Sequence, residues 1–113
     1  MKKKILSFIF VFLILSGLAY GLTYQIRTQV ISVTTTATKL PTTPLVGREY
    51  IQIQNIGAVT VYIGASTVTA DTASTGGIQL LPYSIWYANY DNTVDIYGRV
   101  ASGTANIVCE EGK

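Results

Sequence analysis

Apolar and polar residues alternate between positions 48 and 64, and this alternation limits the possible folds more than any other feature of the chain. The segment REYIQIQNIGAVTVYIG contains two alternating runs separated by positions 55–58. Successive side chains of a β-strand leave opposite faces, so each run predicts a strand with one buried face. The break holds residues that tolerate turn geometry, and the two runs are therefore predicted to form a β-hairpin. The predicted inward residues are Ile51, Ile53, Val59, Val61 and Ile63.

The segment before this pair is also extended in character. Residues 23–38 are rich in Thr, Val and Ile, and the apolar residues change parity at Val30 and Ile31. A change of parity predicts a β-bulge or a strand that exchanges one neighbour for another. Pro41 and Pro44 follow, and proline favours extended or turn conformations that cannot donate ladder hydrogen bonds, so a linker is expected here.

The C-terminal half alternates in short stretches between turn residues. Val94, Ile96 and Val100 are predicted to face inward, with Gly98 at a bulge or a site of close packing. No helical period is sustained beyond the N-terminal segment. Short strands at this spacing predict an all-β fold, a small antiparallel β-sandwich of jelly-roll type preceded by an N-terminal hydrophobic helix.

The N-terminal segment has the layout of a secretory signal peptide. Three lysines precede an apolar run that starts at Ile5 and ends at Leu18, and small residues follow at Ala19 and Gly21. A retained membrane anchor is the alternative, and both place the remainder outside the cytoplasm. The expected divisions are 1–21 signal peptide or anchor, 22–39 extended β-rich arm, 40–46 proline-containing linker and 47–113 β-sandwich domain.

The composition argues against several common kinds of catalytic and metal-binding site. The chain has no histidine and a single cysteine, Cys109, which removes histidine-dependent catalysis, zinc sites of the structural type and any internal disulfide. Cys109 is predicted to be a buried apolar residue. All six carboxylates, including Glu110 and Glu111 near the C-terminus, are expected on the solvated surface. No enzymatic activity, metal site or cofactor is therefore expected.

Charge also argues against nucleic-acid binding. The net charge is +2, but three of the lysines stand at the extreme N-terminus and the remaining basic residues are scattered. No basic patch is left to bind a phosphate backbone.

Exposed aromatic residues are the main candidates for function. Tyrosine and tryptophan combine an apolar ring with a polar group, which suits both protein interfaces and sugar stacking. The candidate interaction surface consists of Tyr50, Tyr62, Trp86, Tyr87 and Tyr90.

Several segments together carry a resemblance to a known class of proteins. LPTTPLVGREYIQIQNIG, VTVYIGASTVTA, GIQLLP, VDIYG and ASGTANIVCEE follow one another between positions 40 and 111. In this order they resemble small β-sandwich structural modules of tailed phages and related viruses, which are found as head-decoration, fibre or other virion-surface proteins. The resemblance implies a non-enzymatic and multimeric surface role, with no catalytic residues to carry over. The hydrophobic N-terminus departs from it, because ordinary decoration proteins need no export signal.

Three functions remain open on this basis. The first is a structural protein of a virion or cell surface that assembles as a homo-oligomer, or with other surface proteins, through sheet edges and aromatic patches. The second is a secreted glycan-binding or adhesive module that uses the exposed aromatics. The third is a subunit of an extracellular filament joined by N-terminal strand exchange.

Overall fold

The computed structural model describes residues 24–113, which form two four-stranded antiparallel sheets. The expected leader, residues 1–21, lies outside the described residues. Within the described part no helix is long and apolar enough to span a bilayer. The prediction of an all-β fold with antiparallel sheets is confirmed there. In chain order the strands are β1 (Ile26–Val33), β2 (Thr38–Lys39), β3 (Tyr50–Asn55), β4 (Val61–Gly64), β5 (Ile78–Leu80), β6 (Ile85–Ala88), β7 (Tyr97–Arg99) and β8 (Ala105–Gly112).

Consecutive strands lie in opposite sheets, except β4 and β5, which are neighbours in sheet B. Sheet A has the order β1-β8-β3-β6, and sheet B has the order β2-β7-β4-β5. The predicted hairpin of β3 and β4 is therefore wrong, because the two strands belong to different sheets. Asn55 shapes the crossing: its buried side chain donates to Val59 O at 2.8 Å and Leu80 O at 2.9 Å and accepts from Gly57 N at 2.9 Å. The chain does bend at positions 57–59, but it leads to the opposite sheet.

Alternation predicted most of the core correctly. The buried cluster between the sheets contains Ile51, Ile53, Val61, Ile63, Ile96 and Val100, together with Val33, Leu40, Leu80, Ala105, Ile107 and Cys109. Val59 and Val94 are exposed, so their predicted inward placement is wrong. Gly98 marks close packing, since a Cβ atom there would lie 2.8 Å from Leu40 Cδ1, and the register of β4 against β7 continues past it without a bulge.

The described part of the expected arm is a strand of sheet A. β1 pairs with β8 in an unbroken register from Ile26 opposite Gly112 to Val33 opposite Ala105. The bulge predicted at Val30 and Ile31 is therefore absent from this strand, since Val30 stays on the exposed side while Ile31 packs against the core. Within the expected linker, Leu40 and Pro41 are buried, so this segment contributes to the sandwich interior.

A buried ion pair joins the start of β3 to the end of β8. Arg48 is 2% exposed and Glu111 is 1% exposed, and Arg48 Nη1 donates to Glu111 Oε2 at 3.0 Å. Leu45 N donates to the same oxygen at 3.0 Å, and Arg27 Nη2 donates to Glu111 Oε1. The expected solvated role of Glu111 is wrong, because this residue shares the inward parity of Ile107 and Cys109 on β8.

The guanidinium of Arg48 also holds the loop between β6 and β7. Its Nε donates to Tyr90 O at 3.0 Å, and its Nη2 donates to Asp91 O at 2.7 Å and Val94 O at 2.8 Å. Buried charges are tolerated only when they are paired and hydrogen-bonded, and both conditions hold here.

The Cys109 thiol should be inert in the folded protein, because it is 1% exposed and burial raises its pKa from 9.0 to about 12. We expect no reaction of the native protein with a thiol reagent at about pH 8, and complete reaction after unfolding in urea. The folded-state pKa lies above the unfolded one, so the stability linked to this thiol is complete below pH 9 and is lost as the pH rises toward 12. Equal labelling rates before and after unfolding would contradict a buried thiol.

Removal of the Arg48 guanidinium should be strongly destabilising. Arg48→Met removes one of the two cations that face the buried Glu111 carboxylate, and it leaves the three loop carbonyls without their Arg48 donor. We therefore expect a loss of about 3 kcal/mol or more in the free energy of unfolding. Arg99→Met is the matched control, since Arg99 is half-buried and makes one long hydrogen bond of 3.5 Å to Val68 O. Its expected cost is below about 1 kcal/mol. Urea unfolding curves measure both, and equal midpoints would refute the central role of Arg48.

Candidate functional site

The five aromatic candidates lie in three separate places. Tyr50 and Tyr87 share the outer face of sheet A, Tyr62 lies on the outer face of sheet B, and Trp86 and Tyr90 line a pocket between the sheets. The structure therefore divides the predicted interaction surface rather than forming one aromatic patch.

Tyr50 and Tyr87 form a stacked pair on adjacent strands. Their ring centroids are 5.7 Å apart with an interplanar angle of 26°. Tyr50 OH donates to Glu110 Oε1 at 3.0 Å, and this hydrogen bond to a carboxylate raises the pKa of the Tyr50 phenol. Stacking of this kind favours one relative orientation of the two rings.

The outer face of sheet A is mostly uncharged. Its positions follow from the register of the four strands, in which alternate residues point away from sheet B. Among the outward strand positions of the described chain, Glu110 is the only charged residue. The outward residues are Ile26, Thr28, Val30, Ser32, Tyr50, Gln52, Gln54, Ile85, Tyr87, Asn106, Val108, Glu110 and Gly112.

The outer face of sheet B is different in character. Tyr62 lies opposite Arg99 on β7 and opposite Gln79 on β5, and Lys39 lies opposite Tyr97 at the other edge. Two cations on four short strands make this face basic and polar. The two outer faces therefore differ in charge, with both of these cations on sheet B.

Trp86 and Tyr90 contact each other edge to face at one end of the sandwich. Their ring centroids are 6.0 Å apart with an interplanar angle of 61°, and Trp86 also packs against the core. They line a half-open pocket of about 280 Å³, slightly below the ~300–1,000 Å³ of ordinary small-molecule sites. The lining residues are Ile63, Gly64, Ala65, Ile78, Trp86, Tyr90, Val94, Asp95 and Ile96.

The wall of this pocket is held in place from inside the protein. Tyr90 and Val94 belong to the loop whose carbonyls accept from Arg48. Within the same loop, Asp91 accepts from the backbone N and the hydroxyl of Thr93, and these hydrogen bonds lower the pKa of the Asp91 carboxyl. A pocket wall fixed in this way loses little conformational entropy when a ligand binds.

The polar groups of the pocket are few. Asp95 lies on its lining and forms an exposed ion pair with Lys39 Nζ at 3.2 Å. Exposed pairs of this kind contribute about 0–1 kcal/mol, so the carboxylate can change partners at little cost. In residues 24–113 there is no group of three or more His, Cys, Asp or Glu side chains that could hold a metal ion.

A neighbouring hollow lies beneath the loop between β4 and β5. It shares Ile63, Gly64, Ala65 and Ile78 with the pocket. The loop is closed by its own hydrogen bonds, with Thr69 N donating to Thr75 O at 2.9 Å. The polar groups of this loop are thus largely occupied by one another.

Sequence reasoning missed the aliphatic part of the outer face of sheet A. Val30, Val108 and Ile85 were not singled out, although strand parity places each of them on the side opposite the core. The alternation carries the signal, because each of these residues has the parity of the outward side chains. The pocket residue Asp95 was expected only on the outward surface.

No protein-family model matches the chain, and no curated protein matches it either. Among solved structures, the chain is similar to a solution NMR structure of a de novo designed double-stranded β-helix. The identity is 12%, the match covers 80% of this chain and 96% of the designed chain, and the TM-score is 0.35. A likeness at this level supports no statement about function.

Proposed function

We propose that this chain is a non-enzymatic structural protein of a virion or cell surface, and that it assembles with further copies of itself. The observation that carries the proposal is the outer face of sheet A, where aliphatic and aromatic side chains occur on all four strands and, among the outward strand positions of residues 24–113, Glu110 is the only charged residue. Exposed apolar side chains gathered on one face favour an interaction site, because water disfavours their exposure.

The strand order supports a jelly-roll interpretation of the sandwich. β1 pairs with β8, β2 with β7, β3 with β6 and β4 with β5, so the chain folds back on itself as one long ribbon wrapped into two sheets. Eight strands in two sheets with this nesting are typical of jelly rolls, an architecture used by viral capsid and lectin domains. Architecture alone does not assign a function, so the proposal depends on the outer face of sheet A.

Assembly also suits the size of the protein. A domain of roughly 90 residues buries only about 60–65% of the surface that its unfolded chain exposes, and association increases that fraction. The single cysteine is buried in the core, so disulfides cannot supply the missing stability within a chain.

Glycan binding is the second candidate, and the pocket of Trp86 and Tyr90 is the observation that favours it. Aromatic rings beside a carboxylate are a common setting for sugar recognition, since one ring face stacks on the sugar and the acid accepts from hydroxyl groups. The lining is otherwise aliphatic, with few hydrogen-bonding groups to fix a sugar. For this reason the candidate ranks below assembly.

A lysine placed on the outer face of sheet A should weaken self-association. Ile85→Lys puts an unpaired charge into a surface that becomes buried on assembly, and we expect the dissociation constant to rise at least about tenfold. Sedimentation equilibrium of the complete protein over a range of concentrations measures this constant.

The matched control for this experiment is Gln79→Lys. Gln79 is exposed and lies opposite Tyr62 on the outer face of sheet B, away from the proposed contact. We expect association of Gln79→Lys to equal that of the natural protein. A protein that stays monomeric at all concentrations, or equal effects of the two substitutions, would refute the assembly proposal.

The glycan candidate is tested by titrating the complete protein with a panel of neutral and acidic oligosaccharides while following the fluorescence of Trp86. Tyr90→Leu should weaken any sugar binding about fivefold, equivalent to ~1 kcal/mol of stacking. Tyr87→Leu on the outer face of sheet A is the control and should leave binding unchanged. Trp86 is kept as the probe, because it packs against the core and its removal would disturb the fold. No spectral change with any sugar would eliminate this candidate.

A further inference from the structure

Strand β1 presents a long backbone edge that nothing in the described part of the chain covers. It is the edge strand of sheet A and pairs on one side only, with β8. Gln25 and Lys113 exchange both backbone hydrogen bonds, at 3.0 and 2.9 Å. Hydrogen-bonded and non-bonded pairs alternate along an antiparallel ladder, so the odd-numbered residues of β1 bond to β8. The even-numbered residues, Ile26, Thr28, Val30 and Ser32, point their N–H and C=O groups away from the sheet.

This edge has almost none of the features that normally protect a free strand. Native proteins guard their edges with short strands, prolines, bulges or outward charges. β1 is 8 residues long, runs in unbroken register and contains no proline, and its outward side chains are uncharged. The other three edge strands, β2, β5 and β6, have only 2, 3 and 4 residues. Arg27 is the one charged residue of β1, and its charge is paired with Glu111 on the inner side.

The geometry of the edge fits a second copy of itself. When two β1 strands are placed antiparallel about a twofold axis at Gln29, Ile26 faces Ser32 of the second copy and Thr28 faces Val30 of the second copy. All of these residues have outward backbone groups, so each N–H meets a C=O across the axis and none is left over. The twofold axis is perpendicular to the sheet, and it therefore keeps the outer faces of both copies on the same side.

We infer that two copies join through β1 in this register and form one continuous eight-stranded sheet. The inference rests on the proposed assembly function and specifies its first interface. Main-chain hydrogen bonds hold the pair, as in other cases of strand addition. The joined outer faces place the Val30 and Ile26 side chains of both copies in one apolar stripe, which doubles the surface available for further assembly.

Disulfide cross-linking tests the proposed register between the two β1 strands directly. The complete protein is prepared as Thr28→Cys and as Val30→Cys, and the two variants are mixed at equal concentration and oxidised. Residues facing each other in a hydrogen-bonded antiparallel pair have Cα atoms about 5.5 Å apart, a distance that a disulfide spans. We expect the mixture to give a disulfide-linked dimer in much higher yield than either variant alone.

Two controls keep this experiment specific. The natural protein should give no linked dimer, since Cys109 is buried. A mixture of Thr28→Cys with Gln52→Cys should also give none, because Gln52 lies on β3, two strands away from the edge. Linked dimers of equal yield in all mixtures would indicate random collision and would overturn the inference.

Val30→Pro supplies an independent test. The outward N–H of Val30 takes no part in the ladder with β8, so proline there removes a donor of the interface while the fold is kept. We expect the dissociation constant of the dimer to rise at least about tenfold, with an unchanged circular dichroism spectrum. A natural protein that associates but shows neither the mixed disulfide nor sensitivity to Val30→Pro would overturn the β1 interface and leave the assembly function standing. A strictly monomeric natural protein would overturn both.

Discussion

The buried pair of Arg48 and Glu111 is the interaction on which one end of the sandwich depends. Arg48 precedes β3, Glu111 lies near the end of β8, and the guanidinium reaches three carbonyls of the loop between β6 and β7. Bringing two charges out of water is costly, and the cost is offset only when every donor and acceptor finds a partner. That requirement fixes the relative positions of β3, β8 and the loop much more tightly than apolar contacts would.

The ion pair positions the loop between β6 and β7 but not the outer face of sheet A. The loop held by Arg48 places Tyr90 and Val94 on the wall of the pocket, so the pocket is shaped by a charge that no ligand touches. The composition of the outer face of sheet A is set by which strand residues point outward, and the ion pair takes no part in it. The pocket and the outer face of sheet A therefore depend on different features of the sequence.

Alternation revealed which side chains face inward but not which strands are neighbours. Ile51, Ile53, Val61 and Ile63 are buried as expected, yet β3 and β4 lie in different sheets, because the same pattern fits a hairpin and a crossing between sheets. Glu111 shows the opposite error. Its parity with Ile107 and Cys109 indicates burial, whereas the general preference of carboxylates for water favours the surface. Parity is the better guide at this position. Partner strands, distant arginines and the pocket depend on contacts far apart in sequence, which periodicity cannot supply.

The position of β1 makes the proposed assembly compatible with the candidate ligand pocket. β1 and β6 are the opposite edges of sheet A, and Trp86, which lines the pocket, belongs to β6. A pair of copies joined through β1 therefore has both pockets at the outer edges of the eight-stranded sheet, as far from the twofold axis as the strand order allows. Neither pocket is covered by the partner, and the joined apolar face lies on the side away from sheet B. In the proposed dimer, the strand order therefore leaves the aromatic pocket open to solvent.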